Sequence, residues 1–375
     1  MRVLAVELFL LELPLNEPFV ASHGETRSRA IVMARVATTI GPGWGECSAL
    51  PAATYTDESA TGCYRSIGDE LAPGLIGRPL PDDPSPETVA VPGRDRGRPM
   101  ATACLEMAII DASLRSRGLS LARWLGAERD RVPAGVSIGL GTVGGTVAAA
   151  ERLVADGFGR LKVKIEPGHD ARLVEALRRA LPAVELQVDA NGAYDEADVD
   201  DVARLVVGAA ERGVDAIEQP FAPAAEAAAV ELIERLASGR AVPVVADEAV
   251  SSVRDAARLL ARGAMSGLSI KPARVGGIAE SKRLHDLCLA NGLPATAGGM
   301  LETGLGRHAL AALAALPGFC LTGDVSPASR WLAADPWPDL TMVDGEILVP
   351  TGHGVGPEPD EAVLERFTVD RRLVD

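Results

Sequence analysis

The chain has 375 residues, 47% hydrophobic and 24% charged, which suffices for one large or two modest domains around a sizeable core. Its formal charge of −15 argues against a nucleic-acid or anionic-membrane surface, while leaving room for a local cationic pocket. The five cysteines (Cys47, Cys63, Cys104, Cys288, Cys320) are scattered with no CxxC spacing, which suits buried thiols in a reducing cytoplasm better than disulfides or zinc.

Glu7 and Glu12 break the first apolar run too early for a secretory leader, and no later run reaches the roughly 18 apolar residues of a membrane span. A soluble, cytoplasmic protein is expected. Residues 1–13 and 28–40 read as strands joined by the polar loop Ser22 to Arg29, and Gly41-Pro-Gly-Trp-Gly-Glu46 closes the hairpin. Helices are expected over 57–72 and 99–118, with proline- and charge-rich 81–98 as a loop between them. Residues 1–125 are therefore expected to form a small α+β domain.

From Val132 the texture changes to short apolar runs alternating with Ala- and Leu-rich amphipathic helices. Candidate strands are 134–138, 161–165, 185–189, 214–218, 242–247, 267–271, 294–298 and 319–323, with helices such as 195–212, 223–238, 252–263 and 278–291 between them. This even alternation argues for a parallel (β/α) barrel over 126–330, with an open doubly wound sheet as the rival. Beyond it, 340–349 reads as a hairpin around Asp344-Gly345, and the tail 331–375 is expected to pack back on the first domain.

Arg160-Leu-Lys-Val-Lys164 places Lys162 and Lys164 on one side of a strand whose other side is apolar. Alone, this also describes an exposed edge strand. Three acids close the next three candidate strands: Asp189, Glu218 and Asp247, separated by 218 − 189 = 29 and 247 − 218 = 29 residues. Equal steps imply one carboxylate per βα unit, at one height, at the strand ends where barrel active sites lie. Three converging carboxylates repel unless a cation sits among them, and hard oxygen ligands suit Mg²⁺, with Mn²⁺ as a substitute. Each acid alone could equally cap the helix after it. Lys271 ends the following strand, giving the order Lys-x-Lys, Asp, Glu, Asp, Lys.

At these residues the sequence resembles the enolase superfamily in its muconate-lactonising-enzyme subgroup, and most closely the o-succinylbenzoate synthase / N-acylamino acid racemase family. The resemblance runs nearly end to end, through Gly43-Trp-Gly-Glu-Cys47, Leu105-Glu-Met-Ala108 with Asp111, Lys162-Val-Lys164, Asp189-Ala-Asn191 and Glu218-Gln-Pro220. It continues through Asp247-Glu248, Lys271-Pro-Ala-Arg-Val-Gly-Gly277 and 298–306. It implies a capping α+β domain on a modified (β/α)7β barrel. It implies Lys164 and Lys271 as an acid/base pair on opposite substrate faces, Lys162 supporting the substrate carboxylate, and Asp189, Glu218 and Asp247 binding Mg²⁺. Ser22, Arg29, Tyr55, Asn191, Arg274, Gly298 and Met300 are the expected substrate-binding residues, although a solvated loop is the better reading for Arg27 and Arg29. A small carboxylate substrate and a homo-oligomer are expected, with no nucleic-acid or membrane partner.

Two reactions fit. A dehydratase, o-succinylbenzoate synthase, needs Lys164 for the α-proton and Lys271 only for its field. An N-acyl or N-succinylamino acid racemase needs both lysines to exchange protons, and Arg274 resembles the arrangement in racemising members. Dehydration is the first expectation. Gly139-Leu-Gly-Thr-Val-Gly144 matches a dinucleotide fingerprint and suggests an NADP-dependent oxidoreductase instead, but the acidic ribose ligand is missing and the three acids have no role in it. A non-catalytic binding protein would need neither both lysines nor all three acids.

Overall fold

The computed structural model describes residues 1–21, 24–86, 88–89, 91, 97–168, 170–208, 213–237 and 242–375. The first unit is an antiparallel sheet of β1 (Val3–Ala21), β2 (Gly24–Thr38) and β3 (Gly41–Cys47). The long β1–β2 hairpin keeps one register from Val3↔Thr38 to Pro14↔Ser28, apart from a bulge near Val3, then shifts before pairing Phe19 with Thr26. That irregularity splits it into a sheet half and an outer arm that reaches over the rest of the molecule. Helices α1 (Ala60–Ser66), α2 (Pro99–Ser116) and α3 (Leu121–Leu125) follow.

Helix α2 is buried on nearly all sides, from Met100 to Leu114, as a helix between two layers must be. Two glycines of β3 allow it so close. A Cβ on Gly43 would lie 2.2 Å from Ala108 O, and one on Gly45 1.9 Å from Cys104 O. The Gly-x-Gly spacing in this stretch is thus a packing requirement, and β3 is a strand rather than the expected hairpin closure.

After β4 (Arg131–Pro133), seven parallel strands run in sequence order around one curled sheet: β5 (Gly135–Ile138), β6 (Arg160–Lys164), β7 (Glu185–Asp189), β8 (Ala216–Glu218), β9 (Val244–Ala246), β10 (Gly267–Ile270) and β11 (Ala295–Ala297). Helices α4 (Val143–Ala155), α5 (Asp170–Ala180), α6 (Val199–Val207), α7 (Glu226–Ala237) and α8 (Val253–Ala261) cover it, followed by α9 (Pro272–Val275), α10 (Ile278–Ala290) and α11 (Gly304–Ala314). The strands are buried on both faces, which is why they read as short apolar runs.

The expected eighth strand, 319–323, is not regular. It makes one parallel bridge, Phe319 to Ala295, after which Leu321 N and Asp324 N donate to Ala295 O and Ala297 O. On its other side Gly135 N donates to Val325 O at 3.1 Å, which closes the ring. Glycines make this seam tight, since a Cβ on Gly135 would lie 2.2 Å from Gly323 O. The architecture is a (β/α)7β barrel capped by an antiparallel sheet, not an open doubly wound sheet.

The terminal hairpin, β12 (Met342–Val343) and β13 (Glu346–Leu348), turns at Asp344 and Gly345, both at positive φ, and pairs with β4. Helix α12 (Glu361–Phe367) leads into β14 (Thr368–Val374), which adds to the free edge of β1. Among the described residues, no helix is long and apolar enough to cross a membrane. Four of the five cysteines are buried, Cys320 is exposed, and all are free.

Candidate active site

The barrel strands deliver the charged side chains to one end. Arg160, Lys162 and Lys164 share one face of β6, as residues two apart on a strand do, and all three are buried. In the sheet, Lys164 lies opposite Asp189 and Asp189 opposite Glu218. Glu218, however, lies opposite Val245, so Asp247 stands two residues further along, beyond the end of β9. Equal sequence spacing thus corrects to two acids in register and one further out, as the stagger of a closing barrel requires. Lys271 likewise sits just past β10, as the residue capping α9, with Pro272 at the first helical position.

The ions form one mesh. Lys162 Nζ lies 2.8 Å from Glu218 Oε2, 3.4 Å from Asp189 Oδ2 and 2.7 Å from Asp324 Oδ2. Lys164 Nζ donates to Asp189 Oδ2 at 2.7 Å and to Asn191 Oδ1 at 2.6 Å. Lys271 Nζ donates to Asp247 Oδ2 at 2.7 Å and to the Tyr55 hydroxyl at 3.1 Å, with Glu218 Oε1 3.5 Å away. Tyr55 donates its hydroxyl hydrogen to Asp247 (2.9 Å to Oδ1), and Arg274 Nη1 contacts the same oxygen.

Electrostatics follow from this mesh. Burial works against the charge on Lys162, but Asp324, Glu218 and Asp189 outweigh it and hold its ammonium above the usual lysine range. Burial likewise opposes the charge on Lys271, and Tyr55, Glu218 and Asp189 reverse that, leaving it well above that range. Glu218 is driven down to about 2, because Lys162 and Lys271 overcome its burial. Glu248 goes the other way, raised by burial and by the Asp189 charge.

Among the described residues, no group of three acids or other metal-binding side chains is gathered closely enough to hold a metal ion, because lysines lie between the acids. The donor set nevertheless fits a hard divalent cation. Its oxygens are carboxylate oxygens, and two of the acceptors here, Glu218 Oε1 and Glu248 Oε2, are buried without a hydrogen bond.

The pocket above this floor is lined by Ser137, Lys162, Lys164, Asn191, Lys271 and Asp324 on its polar side. Phe19, Leu50, Tyr55, Met300, Leu301 and Trp331 line its apolar side. The arm of the β1–β2 hairpin roofs it. Leu140 N donates to Val20 O at 2.7 Å, Asn16 N donates to Trp331 O at 2.8 Å, and Phe19 meets Trp331 edge-on at 5.4 Å. Asn191, Gln219 and Leu301, at φ 46°, 37° and 56°, hold left-handed backbone around the site, and such strain concentrates where side chains must be aimed.

The other expected site residues divide. Ser22 lies outside the described residues. Asn191 links Lys164 to Glu248, to which its Nδ2 donates at 2.8 Å. Arg274 stands behind Asp247, its Nε and Nη2 donating to Val250 O and Ser269 O. Gly298 leaves room for the stem of Lys271, since a Cβ there would lie 2.7 Å from Lys271 Cε.

Arg29 is a correction. It is fully buried, neither a solvated loop residue nor a pocket-lining one, and donates to the carbonyls of Ser48, Ala49, Met300 and Leu301. It therefore ties the hairpin to the barrel. Arg27 is exposed and paired with Glu25. His285 and His308 are core side chains, one bound to Gly318 N and the other to Gly304 O. Gly139, first of the dinucleotide-like glycines, makes way for the roof: a Cβ there would lie 2.6 Å from Val20 O.

Two features escaped sequence reasoning. Asp324 lies one residue beyond the irregular eighth segment, as Asp247 and Lys271 lie one residue beyond β9 and β10. The apolar wall of Phe19 and Trp331 comes from segments distant in sequence.

A capped (β/α)7β barrel with Lys-x-Lys, three acids and a further lysine at its strand ends is an enolase-type enzyme scaffold. Residues 5–126 match the mandelate racemase / muconate lactonizing enzyme N-terminal domain, and residues 145–363 match the enolase C-terminal domain-like family. The chain is 38% identical to an N-succinylamino acid racemase of an Amycolatopsis species over 98% of each chain. It is 34% identical to an o-succinylbenzoate synthase of Bacillus subtilis (strain 168), over 96% of this chain and 95% of that one. The structure of an enolase-superfamily member from Listeria innocua superposes with a TM-score of 0.91 at 31% identity, covering 100% of this chain and 99% of that one. The chain belongs to the enolase superfamily, and within its mandelate racemase / muconate lactonizing enzyme branch to the o-succinylbenzoate synthase / N-acylamino acid racemase family.

Proposed function

We propose that this protein is an o-succinylbenzoate synthase, dehydrating 2-succinyl-6-hydroxy-2,4-cyclohexadiene-1-carboxylate as in menaquinone biosynthesis, with N-succinylamino acid racemisation as its second activity. The observation that carries the reading is the pairing of Lys164 and Lys271 at the floor of one pocket. They stand on strands separated by those bearing Asp189, Glu218 and Asp247. Asp189, Glu218 and Asp247 would hold Mg²⁺, with Mn²⁺ as a substitute. When bound, the cation supplies the positive charge that makes the α-proton of a carboxylate substrate removable.

The chain's own groups do the rest. Lys162 holds the substrate carboxylate, and Lys164 takes the α-proton. In dehydration Lys164 returns that proton to the departing hydroxyl on the same face. In racemisation Lys271 delivers a proton to the opposite face, so both lysines must exchange protons. The apolar wall and the roof of Phe19 keep water from the reacting carbon, and Met300 and Asn191 line the substrate's path. Arg274, fixed against Asp247 beside Lys271, favours the racemase as the second reading.

Following the absorbance as the ring aromatises tests the synthase. Deuterium incorporation at the α-carbon of N-succinylamino acids in D₂O tests the racemase. Failure of both, by a folded, metal-loaded protein, would sink the reading.

A further inference from the structure

Three cations on one strand face need fixed anions, because a buried charge without a partner is strongly destabilising. On β6, Lys164 has Asp189 and Asn191. Lys162 has partners of two kinds. Glu218 and Asp189 belong to the acids assigned to the divalent cation, whereas Asp324 does not.

Asp324 is built in. The Ser137 hydroxyl donates to its Oδ1 at 2.7 Å, and Arg160 Nη1 donates to the same oxygen at 2.5 Å. Its main-chain nitrogen donates to Ala297 O at 2.8 Å, and its carbonyl accepts from Arg307 Nη1 at 2.5 Å. Oδ2 is thereby left pointing at Lys162, 2.7 Å away. Burial opposes the charge of this carboxylate, but Lys162 and Arg160 hold it well below the usual carboxylate range.

Glu218 Oε2 cannot serve the Lys162 ammonium and a divalent cation equally well. Once the acids turn to the cation, Lys162 keeps one anion that the cation does not claim. We propose that Asp324 is a positioning residue that anchors the Lys162 ammonium in the pocket floor, freeing Glu218 and Asp189 for the cation and aiming Lys162 at the substrate carboxylate. The inference rests on the metal and lysine assignment above. It adds a residue just past the irregular eighth segment, one to which Arg160, deeper in the barrel, is also paired.

The test uses the full chain, stripped with EDTA and titrated with Mn²⁺ by calorimetry in the absence of substrate, followed by steady-state kinetics. Asp324→Asn should weaken Mn²⁺ binding by about 10- to 100-fold, the usual cost of losing an outer partner of a metal site. It should also raise KM more than it lowers kcat. Asp324→Glu, which keeps the charge, should recover part of the affinity. Ser137→Ala, which removes only one donor to Asp324, should show a smaller loss in the same direction.

Wild-type Mn²⁺ affinity and KM in a folded Asp324→Asn protein that has lost only thermal stability would overturn the inference, reducing Asp324 to a buttress of the barrel seam. If Asp324→Asn does not fold, the other two variants decide: weakened binding in both supports the role, and wild-type binding in both overturns it. A wild-type chain that fails to bind Mn²⁺ would defeat the metal assignment itself, whereas Mn²⁺ binding indifferent to all three variants would defeat this inference alone.

Discussion

At the scale of single residues, the proposed chemistry rests on Lys164 and Lys271, whereas Arg29 is held by main-chain carbonyls. Replacing Lys164 with Ala should lower turnover in both reactions by at least about a thousandfold, the range in which a general base contributes. Product formation and α-proton exchange measure it together. Lys271→Ala should abolish racemisation while the protein still folds, and a variant that still inverts its substrate would contradict the two-lysine scheme. Arg29→Ala should cost stability, roughly 2–4 kcal/mol from the buried carbonyls it leaves unsatisfied, measured by urea unfolding. Were Arg29 a substrate ligand, KM would rise at unchanged stability. Its role was unreadable in sequence because the chain around it looked like a loop. What settles it is the 15-residue strand β2 and the carbonyls of Met300 and Leu301, 271 and 272 positions away.

At the scale of elements, the β1–β2 arm is the part that couples cap to barrel. Gly139 is its landing point, and a Cβ there would meet main chain rather than a flexible side chain. Gly139→Ala should therefore lift the arm and reduce kcat/KM roughly 10- to 100-fold, with a nearly unchanged melting temperature. An unaltered kcat/KM would show that the arm does not matter.

Seven barrel strands were legible because each is buried on both faces and therefore reads as an apolar run. The eighth was overcalled, because Phe319-Cys-Leu321 has the composition of a strand but closes the ring with only a bridge and a few hydrogen bonds. Asp324 was missed for the same reason, lying past a strand that is not there. Asp189 and Glu218 were placed correctly relative to one another. The height of Asp247 was not, since the stagger of a closed barrel leaves no trace in a spacing of 29 residues.

At the scale of the whole molecule, the cap-to-barrel junction buries an acidic cluster at the start of α11. Glu46 accepts from Thr303 N and Gly306 N, and Asp335 from Gly304 N. Burial pushes Glu46 up to about 8 and Asp335 up to about 6, despite those hydrogen bonds. A carboxyl whose folded value is raised stabilises the fold fully below its unfolded value. That contribution is lost as pH rises through the folded one. Stability should thus decline between about pH 4.5 and pH 8 on account of Glu46, and Glu46→Gln should flatten that slope in thermal melts across the range.

The central claim is that a cation held by three strand-end acids makes a carboxylate's α-proton available to Lys164. Its most direct test is turnover of 2-succinyl-6-hydroxy-2,4-cyclohexadiene-1-carboxylate by the wild-type protein before EDTA, after EDTA, and after readdition of Mg²⁺. The account predicts aromatisation that EDTA abolishes and Mg²⁺ restores in the wild type, and that remains absent in Lys164→Ala throughout. Turnover indifferent to EDTA, or surviving in Lys164→Ala, would contradict it.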